Sequence, residues 1–255
     1  MIPKVIHYCW FGNGEKSELV LKCIESWKKY CPDYEIIEWN ENNYDVTKNR
    51  YMREAYEEKR WGFVPDYARI DIVYQNGGIY LDTDVEVVKN FDSLLNNESF
   101  FGFERGGEAY QVNLGSGFGS IKGNEILKKI MDYYDKCSFK NSDGTLNLTP
   151  SPIINSKTFI ENGFIMNNQY QNVLGNIVLP FDYLAPLHWA NMKGKPTKNT
   201  VSIHHYNTSW LSDEEKKARR RTTIKHNIIH FPNRIIKTVL GKKKYEKLKA
   251  KVKKQ

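Results

Sequence analysis

Cysteine is scarce in this chain and never closely paired: Cys9, Cys23, Cys31 and Cys137 are the four present, and none forms a Cys-x-x-Cys. That spacing excludes a zinc ribbon and a disulfide scaffold, and makes reduced thiols in a cytosol the expectation. Also missing is any run approaching the ~20 consecutive apolar residues of a membrane-spanning helix. The opening residues Met1-Ile2-Pro3-Lys4-Val5-Ile6-His7 show no charged leader ahead of a long apolar stretch, so neither spanning nor secretion is expected. Acid is nearly absent from the end of the chain: residues 216–255 hold 16 Lys or Arg and Glu246 alone as acid, a balance of +15. Residues 1–215 then carry 22 basic and 29 acidic residues, a balance of −7, although the whole chain is +8. An acidic body speaks against nucleic acid in a main cleft, and a basic tail points to an anionic surface.

What is present suffices for a core. At 40% hydrophobic and 13% aromatic residues, disorder is excluded for most of the 255 positions. Against ~100–200 residues per domain, the length predicts one catalytic domain over residues 1–215 and a tail over 216–255. In the tail, Ile224, Ile228, Ile229, Ile235, Ile236 and Val239 recur at near-helical spacing among Lys and Arg, punctuated by Pro232 and Gly241. The pattern predicts basic amphipathic helices that lie on an anionic bilayer; a packed helix, or contact with RNA or protein, is the alternative.

Upstream, Val5-Ile6-His7-Tyr8-Cys9-Trp10-Phe11 reads as a buried strand ended by Gly12-Asn13-Gly14. A helix follows, capped by Ser17, with Leu19, Val20, Cys23, Ile24 and Trp27 on one face, and residues 34–39 form a second strand. This β-α-β opening predicts an α/β fold with a mostly parallel central sheet flanked by helices, and ligands beyond the C-terminal ends of its strands. Residues 65–75 read as a helix stopped at Asn76-Gly77-Gly78, 79–87 as a strand breaking at an acidic step, and 100–103 as a strand. Ile126, Leu127, Ile130, Met131 and Tyr134 mark a further helix, and 138–200 read as loops and short elements over the sheet.

In a strand, Asp82 and Asp84 share a face while Thr83 points away. Adjacent carboxylates repel, and a divalent cation with hard oxygen ligands, Mg2+ or Mn2+, most readily keeps both ionised. Asp66 and Arg69 are one helical turn apart and suited to an i,i+3 pair. His204 and His205 follow a short apolar strand and alternate faces, so at most one enters a site. Gly115-Ser116-Gly117-Phe118-Gly119 has the wrong spacing for a dinucleotide fingerprint and fits tight turns or close backbone approach instead.

Four blocks stand in order: Ile2-Pro3-Lys4-Val5-Ile6-His7-x-x-Trp10; Asp66-Tyr67-Ala68-Arg69; Gly77-Gly78-Ile79-Tyr80-Leu81-Asp82-Thr83-Asp84; and His204-His205-Tyr206-Asn207-Thr208-Ser209-Trp210. Over residues 2 to about 210 the chain resembles glycosyltransferase family 32, a GT-A-fold group of mannosyltransferases and bacterial capsule enzymes, more distantly similar to glucosylating toxins. The resemblance implies a GT-A-type nucleotide-sugar-binding fold and a Mn2+ or Mg2+ cofactor. It further implies retaining transfer of a hexose from a nucleoside-diphosphate sugar, UDP-sugar favoured. The acceptor would be a glycan or a polyprenyl-diphosphate-linked sugar, in surface polysaccharide synthesis, with no nucleic acid partner. In such enzymes Asp84 ligates the metal, Asp82 meets the ribose or the metal through water, Asp66 holds sugar hydroxyls and Arg69 reaches the sugar or diphosphate. Trp10 would stack on the base, Thr83 and Ser209 join the donor site, and Trp210 cap the diphosphate. His205 is favoured over His204 or Ser209 to complete the metal shell. The expected location is cytoplasmic, peripheral at the inner face of the cell membrane. The rival reading is a non-enzymatic protein that binds anionic membrane or RNA through its tail; the acidic body and the ordered motifs weigh against it.

If the tail docks on lipid, truncation after Asp213 releases the protein from acidic liposomes. Wild-type binding should weaken with salt, since headgroup attraction falls over ~8 Å at physiological ionic strength, yet persist through the isoleucine stripe. Flotation of full-length and truncated protein at low and high salt checks this; failure of the full chain to float at low salt removes the docking role.

Overall fold

The computed structural model describes residues 1–106, 109–189 and 191–207. The expected tail over 216–255, together with Ser209 and Trp210, lies outside the described residues. The chain opens with β1 (Val5–Cys9), α1 (Glu18–Tyr30) and β2 (Glu35–Trp39), then two helices, α2 (Arg50–Glu57) and α3 (Val64–Asn76). Next come β3 (Gly78–Tyr80), β4 (Val85–Val87), β5 (Ser99–Gly106), β6 (Ala109–Val112), β7 (Phe118–Ser120) and α4 (Glu125–Tyr134). It closes with α5 (Ser151–Glu161), β8 (Gln171–Val173), β9 (Asn176–Leu179), α6 (Phe181–Leu184) and β10 (Ser202–His204).

Ser17 caps α1 as expected, its side chain accepting from the Val20 amide, and Asn124 does the same for α4. The main sheet runs β2-β1-β3-β7-β5-β9-β8, with β6 added on β5. Parallel ladders join β1 to β2 and β3, and β5 to β9, while β7 is antiparallel to both β3 and β5. Thus β2, β1, β3, β5 and β9 all point one way, and β7 is a reversed strand set among them. The parallel β-α-β start carries that direction from the sequence; the antiparallel insertion carries no local signal.

Both faces of the sheet are covered. Tyr51, Tyr67, Phe101, Phe103, Phe118 and Tyr134 belong to the core on the α2–α5 side. On the other face Ile6, Trp27, Ile79, Val85 and Phe100 pack together. The indole N–H of Trp27 donates to the Val85 carbonyl at 2.7 Å, tying α1 to β4. Here the structure corrects the reading of 79–87 as one strand: β3 stays in the main sheet, whereas β4 leaves it and pairs antiparallel with β10. The residues between are a turn, closed by the Val85 amide on the Asp82 carbonyl at 3.0 Å. Strand alternation therefore does not place Asp82 and Asp84.

The turn from α3 into β3 uses two glycines. Gly78 sits at φ 103°, and a Cβ there would lie 2.9 Å from both His7 Nε2 and the Val5 carbonyl. His7 is buried beneath it. The Trp39 indole N–H donates to His7 Nδ1 at 3.1 Å, which leaves Nε2 protonated to donate to the Gly77 carbonyl at 2.9 Å. Burial of the ring lowers its pKa from the ordinary value near 6.5. A base held neutral in the fold is protonated first in the unfolded chain, so its stabilising contribution is present above that value and is lost as pH falls below it. Denaturant unfolding between pH 7.5 and 5.5 should accordingly show a steeper loss of stability for wild type than for His7→Asn. The extra slope is bounded by about 1.4 kcal/mol per pH unit for one proton. Equal slopes would show that His7 does not titrate as its burial requires.

Candidate active site

Asp66 and Arg69 lie on the inner face of α3 and are each 3% exposed. Burying a guanidinium demands compensation, and Arg69 finds it on three sides. Its Nη2 donates to Asp66 Oδ1, its Nε to the Pro65 carbonyl at 3.0 Å, and its Nη1 is shared between Asp82 Oδ1 and Oδ2 at 3.4 and 3.3 Å. The helix thus reaches into the acidic turn through one side chain. Burial raises Asp66 to about 6 despite Arg69 and a hydrogen bond from Ser151.

Asp84 is anchored from the other direction. His204 Nε2, on β10, stands 3.2 Å from Asp84 Oδ1, and the Asn207 amide donates to Oδ2 at 2.6 Å. The His205 amide closes on the Asp84 carbonyl at 2.9 Å. Burial alone would raise Asp84, but the His204 ring, the Asn207 amide and Asp84's own amide hold its carboxylate below the usual range. Asp82 moves the opposite way, raised by burial and by Asp84 against the pull of Arg69. Two carboxylates two residues apart are therefore driven to different protonation behaviour by their partners.

The ligand atoms of Asp82, Asp84 and His204 lie within 4.8 Å of one another. Two carboxylate oxygens and one imidazole nitrogen at that separation can hold a divalent cation. His204, not His205, meets the pair: His205 Nε2 turns away to Glu86 Oε2 at 2.8 Å, because adjacent strand residues face opposite sides. Thr83 is half-buried in the turn between the two aspartates. Trp10 follows β1 at the same end of the sheet, half-buried, its indole N–H donating to the Gly14 carbonyl at 2.8 Å. Lys16, paired with Glu38, places its ammonium 5.4 Å from the Trp10 ring.

Three further residues complete the rim; sequence reading passed over Glu104 and Asn113 and gave Tyr206, though within a quoted motif, no role. Glu104, near the end of β5 and 5% exposed, accepts from Asn113 Nδ2 at 2.8 Å and from the Tyr206 hydroxyl at 3.2 Å. Asn113 Oδ1 in turn accepts from the Gly115 amide at 2.8 Å, and a Cβ on Gly115 would strike Asp82 Oδ2 and Arg69 Nη1. Close backbone approach thus accounts for the first glycine of the Gly115-Ser116-Gly117 run. Tyr206 lays its ring on His204 at 4.1 Å between centroids. The available signals were modest: a charge ending the apolar run Phe100-Phe101-Gly102-Phe103, and a tyrosine between His205 and Asn207.

Removing the guanidinium tests the frame. Arg69→Met leaves Asp66 buried without its partner, a loss of about 3–5 kcal/mol for a broken buried pair. A carboxylate with a raised pKa takes up a proton on folding, so the deficit should shrink at pH 5 relative to pH 8. Urea unfolding at both values checks this; a deficit below about 1 kcal/mol, the size of a surface ion pair, would show that Arg69 does not hold the site.

Parts of the chain are similar to known proteins. Residues 17–101 match the family described as glycosyltransferase sugar-binding region containing DXD motif, a stretch that includes Asp66, Arg69, Asp82 and Asp84. An inositol phosphoceramide mannosyltransferase of Schizosaccharomyces pombe is 33% identical over 98 residues, covering 37% of this chain and 27% of that protein. The aligned part is thus about a quarter of the relative's length. An uncharacterized glycosyltransferase of Acanthamoeba polyphaga mimivirus is 28% identical over 223 residues, 82% of this chain and 84% of that one. Among solved structures, the PaToxG glycosyltransferase superposes with a TM-score of 0.47 at 20% identity, over 63% of this chain and 69% of that one. Asp82-Thr83-Asp84 stands inside the matched region and is gathered with His204 in space, so what residues 17–101 are similar to is the DXD-containing sugar-binding region of glycosyltransferases.

Proposed function

We propose that the protein is a metal-dependent, retaining glycosyltransferase that moves a hexose from a nucleoside-diphosphate sugar, UDP-sugar favoured, to a glycan or polyprenyl-diphosphate-linked acceptor in surface polysaccharide synthesis. The observation that carries this is the Asp82, Asp84 and His204 cluster, joined through Asp82 to the buried Arg69 and Asp66. Hard oxygens with one imidazole nitrogen suit Mn2+ better than Mg2+, which favours an all-oxygen shell. When bound there, such a cation supplies Lewis-acid stabilisation of the departing diphosphate.

The chain's own groups do the rest. Asp84, held ionised by His204 and the Asn207 amide, presents charge without needing to lose a proton first. Arg69 fixes the turn from behind, and Asp66 lies in reach of that same guanidinium to orient sugar hydroxyls. Trp10, at the end of β1, offers an aromatic ring for the base. Retention by double displacement requires an unencumbered carboxylate. Glu104 is the buried acid on the rim, but its Oε2 already accepts from Asn113 and Tyr206, which lowers its nucleophilicity. Front-face attack steered by the leaving phosphate fits this arrangement better. The +15 tail supports placement at the inner face of the cell membrane, where a lipid-linked acceptor would be met. No helix among the described residues is long and apolar enough to cross a membrane.

A panel of nucleotide sugars, assayed for nucleoside-diphosphate release with and without Mn2+, identifies the donor. Asp84→Asn should fold normally and lose at least ~100-fold in turnover, since a direct ligand contributes several kcal/mol and each 1.4 kcal/mol is tenfold. Wild-type turnover by the folded variant removes the assignment of Asp84.

A further inference from the structure

Tyr206 has so far served only as a rim contact of His204 and Glu104, yet its placement is unusual in three ways. Its backbone lies at φ 50°, the left-handed region that a bulky side chain enters only when its surroundings over-determine it. Its ring covers His204, tilted by 32° at 4.1 Å. Its hydroxyl crosses to Glu104 Oε2, 102 residues away in sequence, at 3.2 Å.

The consequences lie on either side of it. The His205 amide on the Asp84 carbonyl continues the register of β10 with β4, and the left-handed Tyr206 then follows, after which the Asn207 amide meets Asp84 Oδ2. The departure from extended backbone at Tyr206 thus falls between the ladder bond of His205 and the amide of Asn207 that meets the Asp84 carboxylate. Glu104 is in turn held by Asn113, whose Oδ1 receives the Gly115 amide beside Asp82 and Arg69. Contacts therefore close into a ring: Asp82, the Gly115 backbone, Asn113, Glu104, Tyr206, His204 and Asp84. One of its links, Tyr206 to Glu104, joins the β10 end to the β5–β6 hairpin, and Asn113 to Glu104 carries it on within that hairpin.

We infer that Tyr206 is a positioning residue: anchored on Glu104, it latches the segment after β10 over the acidic turn, and so sets His204 and Asp84 in the geometry that receives a divalent cation. This rests on the cation reading of the Asp82, Asp84 and His204 cluster given above. Tyr206 itself donates nothing to the cation. Its hydroxyl acts by making one of many rotations of the 204–207 segment the preferred one, which is pre-organisation of a site before its ligand arrives.

The experiment is titration of the full-length protein with Mn2+ alone, no donor sugar, read as free Mn2+ by electron paramagnetic resonance. Tyr206→Phe keeps the ring on His204 and removes only the link to Glu104. It should raise the Mn2+ dissociation constant ~3–10-fold, the loss of one hydrogen bond worth of pre-organisation. In a Glu104→Leu background the same change should have no further effect, because the link is already gone; the cycle cancels the simple loss of a negative charge. Tyr206→Asn, which tolerates the left-handed backbone but loses ring and hydroxyl together, should weaken Mn2+ at least as much, and thermal unfolding of each variant confirms the fold. A shift below twofold in Tyr206→Phe, or one that persists undiminished in the Glu104→Leu background, overturns the latch. Asp84→Asn in the same titration separates the two readings. If it abolishes Mn2+ binding while Tyr206→Phe leaves it unchanged, the cation site stands and only the latch falls. If the wild type takes up no Mn2+ at millimolar concentration, the cation reading fails and the latch fails with it.

Discussion

A guanidinium almost without access to water, set between two carboxylates, is the interaction on which the rest of the site depends. Arg69 leaves α3 to meet Asp66 on its own helix and Asp82 in the turn beyond β3. Desolvating three charges is expensive, and the arrangement is tolerable only because each has a partner and the Pro65 carbonyl takes the remaining Nε–H. Once made, the contact leaves little freedom for the acidic turn. Helix, strand end and turn then move as one piece, which is the kind of rigid support a binding site needs.

Around that frame the negative charge is divided unequally. Asp82 is compensated by the buried guanidinium, Asp84 by the His204 ring and by the Asn207 amide just beyond β10. Burial and the neighbouring Asp84 raise Asp82 in spite of Arg69, while the His204 ring and the Asn207 amide hold Asp84 low, so the two carboxylates shift in opposite directions. Backbone permissiveness is also needed. Gly115 lets a neighbouring loop approach Asp82 and Arg69 where any side chain would collide, and that loop returns from β6 to β7, the reversed strand of the sheet. The antiparallel insertion of β7 between β3 and β5 is thus what brings the loop over the acidic turn.

Much of the fold was legible in local patterns. The Ser17 cap, the apolar stripe of α1, the glycine stop after α3 and the apolar run of β1 are signals written within a few residues, and each element formed where those signals lie. The stretch 138–200 was legible only in part. Its polar, proline-containing composition hid α5, whose buried face includes Ser151, Asn155, Ser156 and Thr158 and therefore lacks an apolar stripe. The path of β4 out of the main sheet was hidden for a related reason: Val85-Glu86-Val87 suits any sheet edge, and its choice of β10 as partner was made by the two segments meeting in space.

By itself, then, the sequence determined the α/β class, the helix that carries Asp66 and Arg69, the acidic step and the family resemblance, since all are short-range patterns of residue type and spacing. Tertiary structure alone decided that the acidic step is a turn, that His204 rather than His205 joins it, and that Glu104, Asn113 and Tyr206 close the rim. The reason is separation along the chain. Asn207 meets Asp84 across 123 positions and Tyr206 meets Glu104 across 102, and no periodicity or propensity reports on pairs so distant. Such pairs exist only once packing of the sheet has brought the ends of β3, β5 and β10 to one place, where burial makes each polar group find a partner.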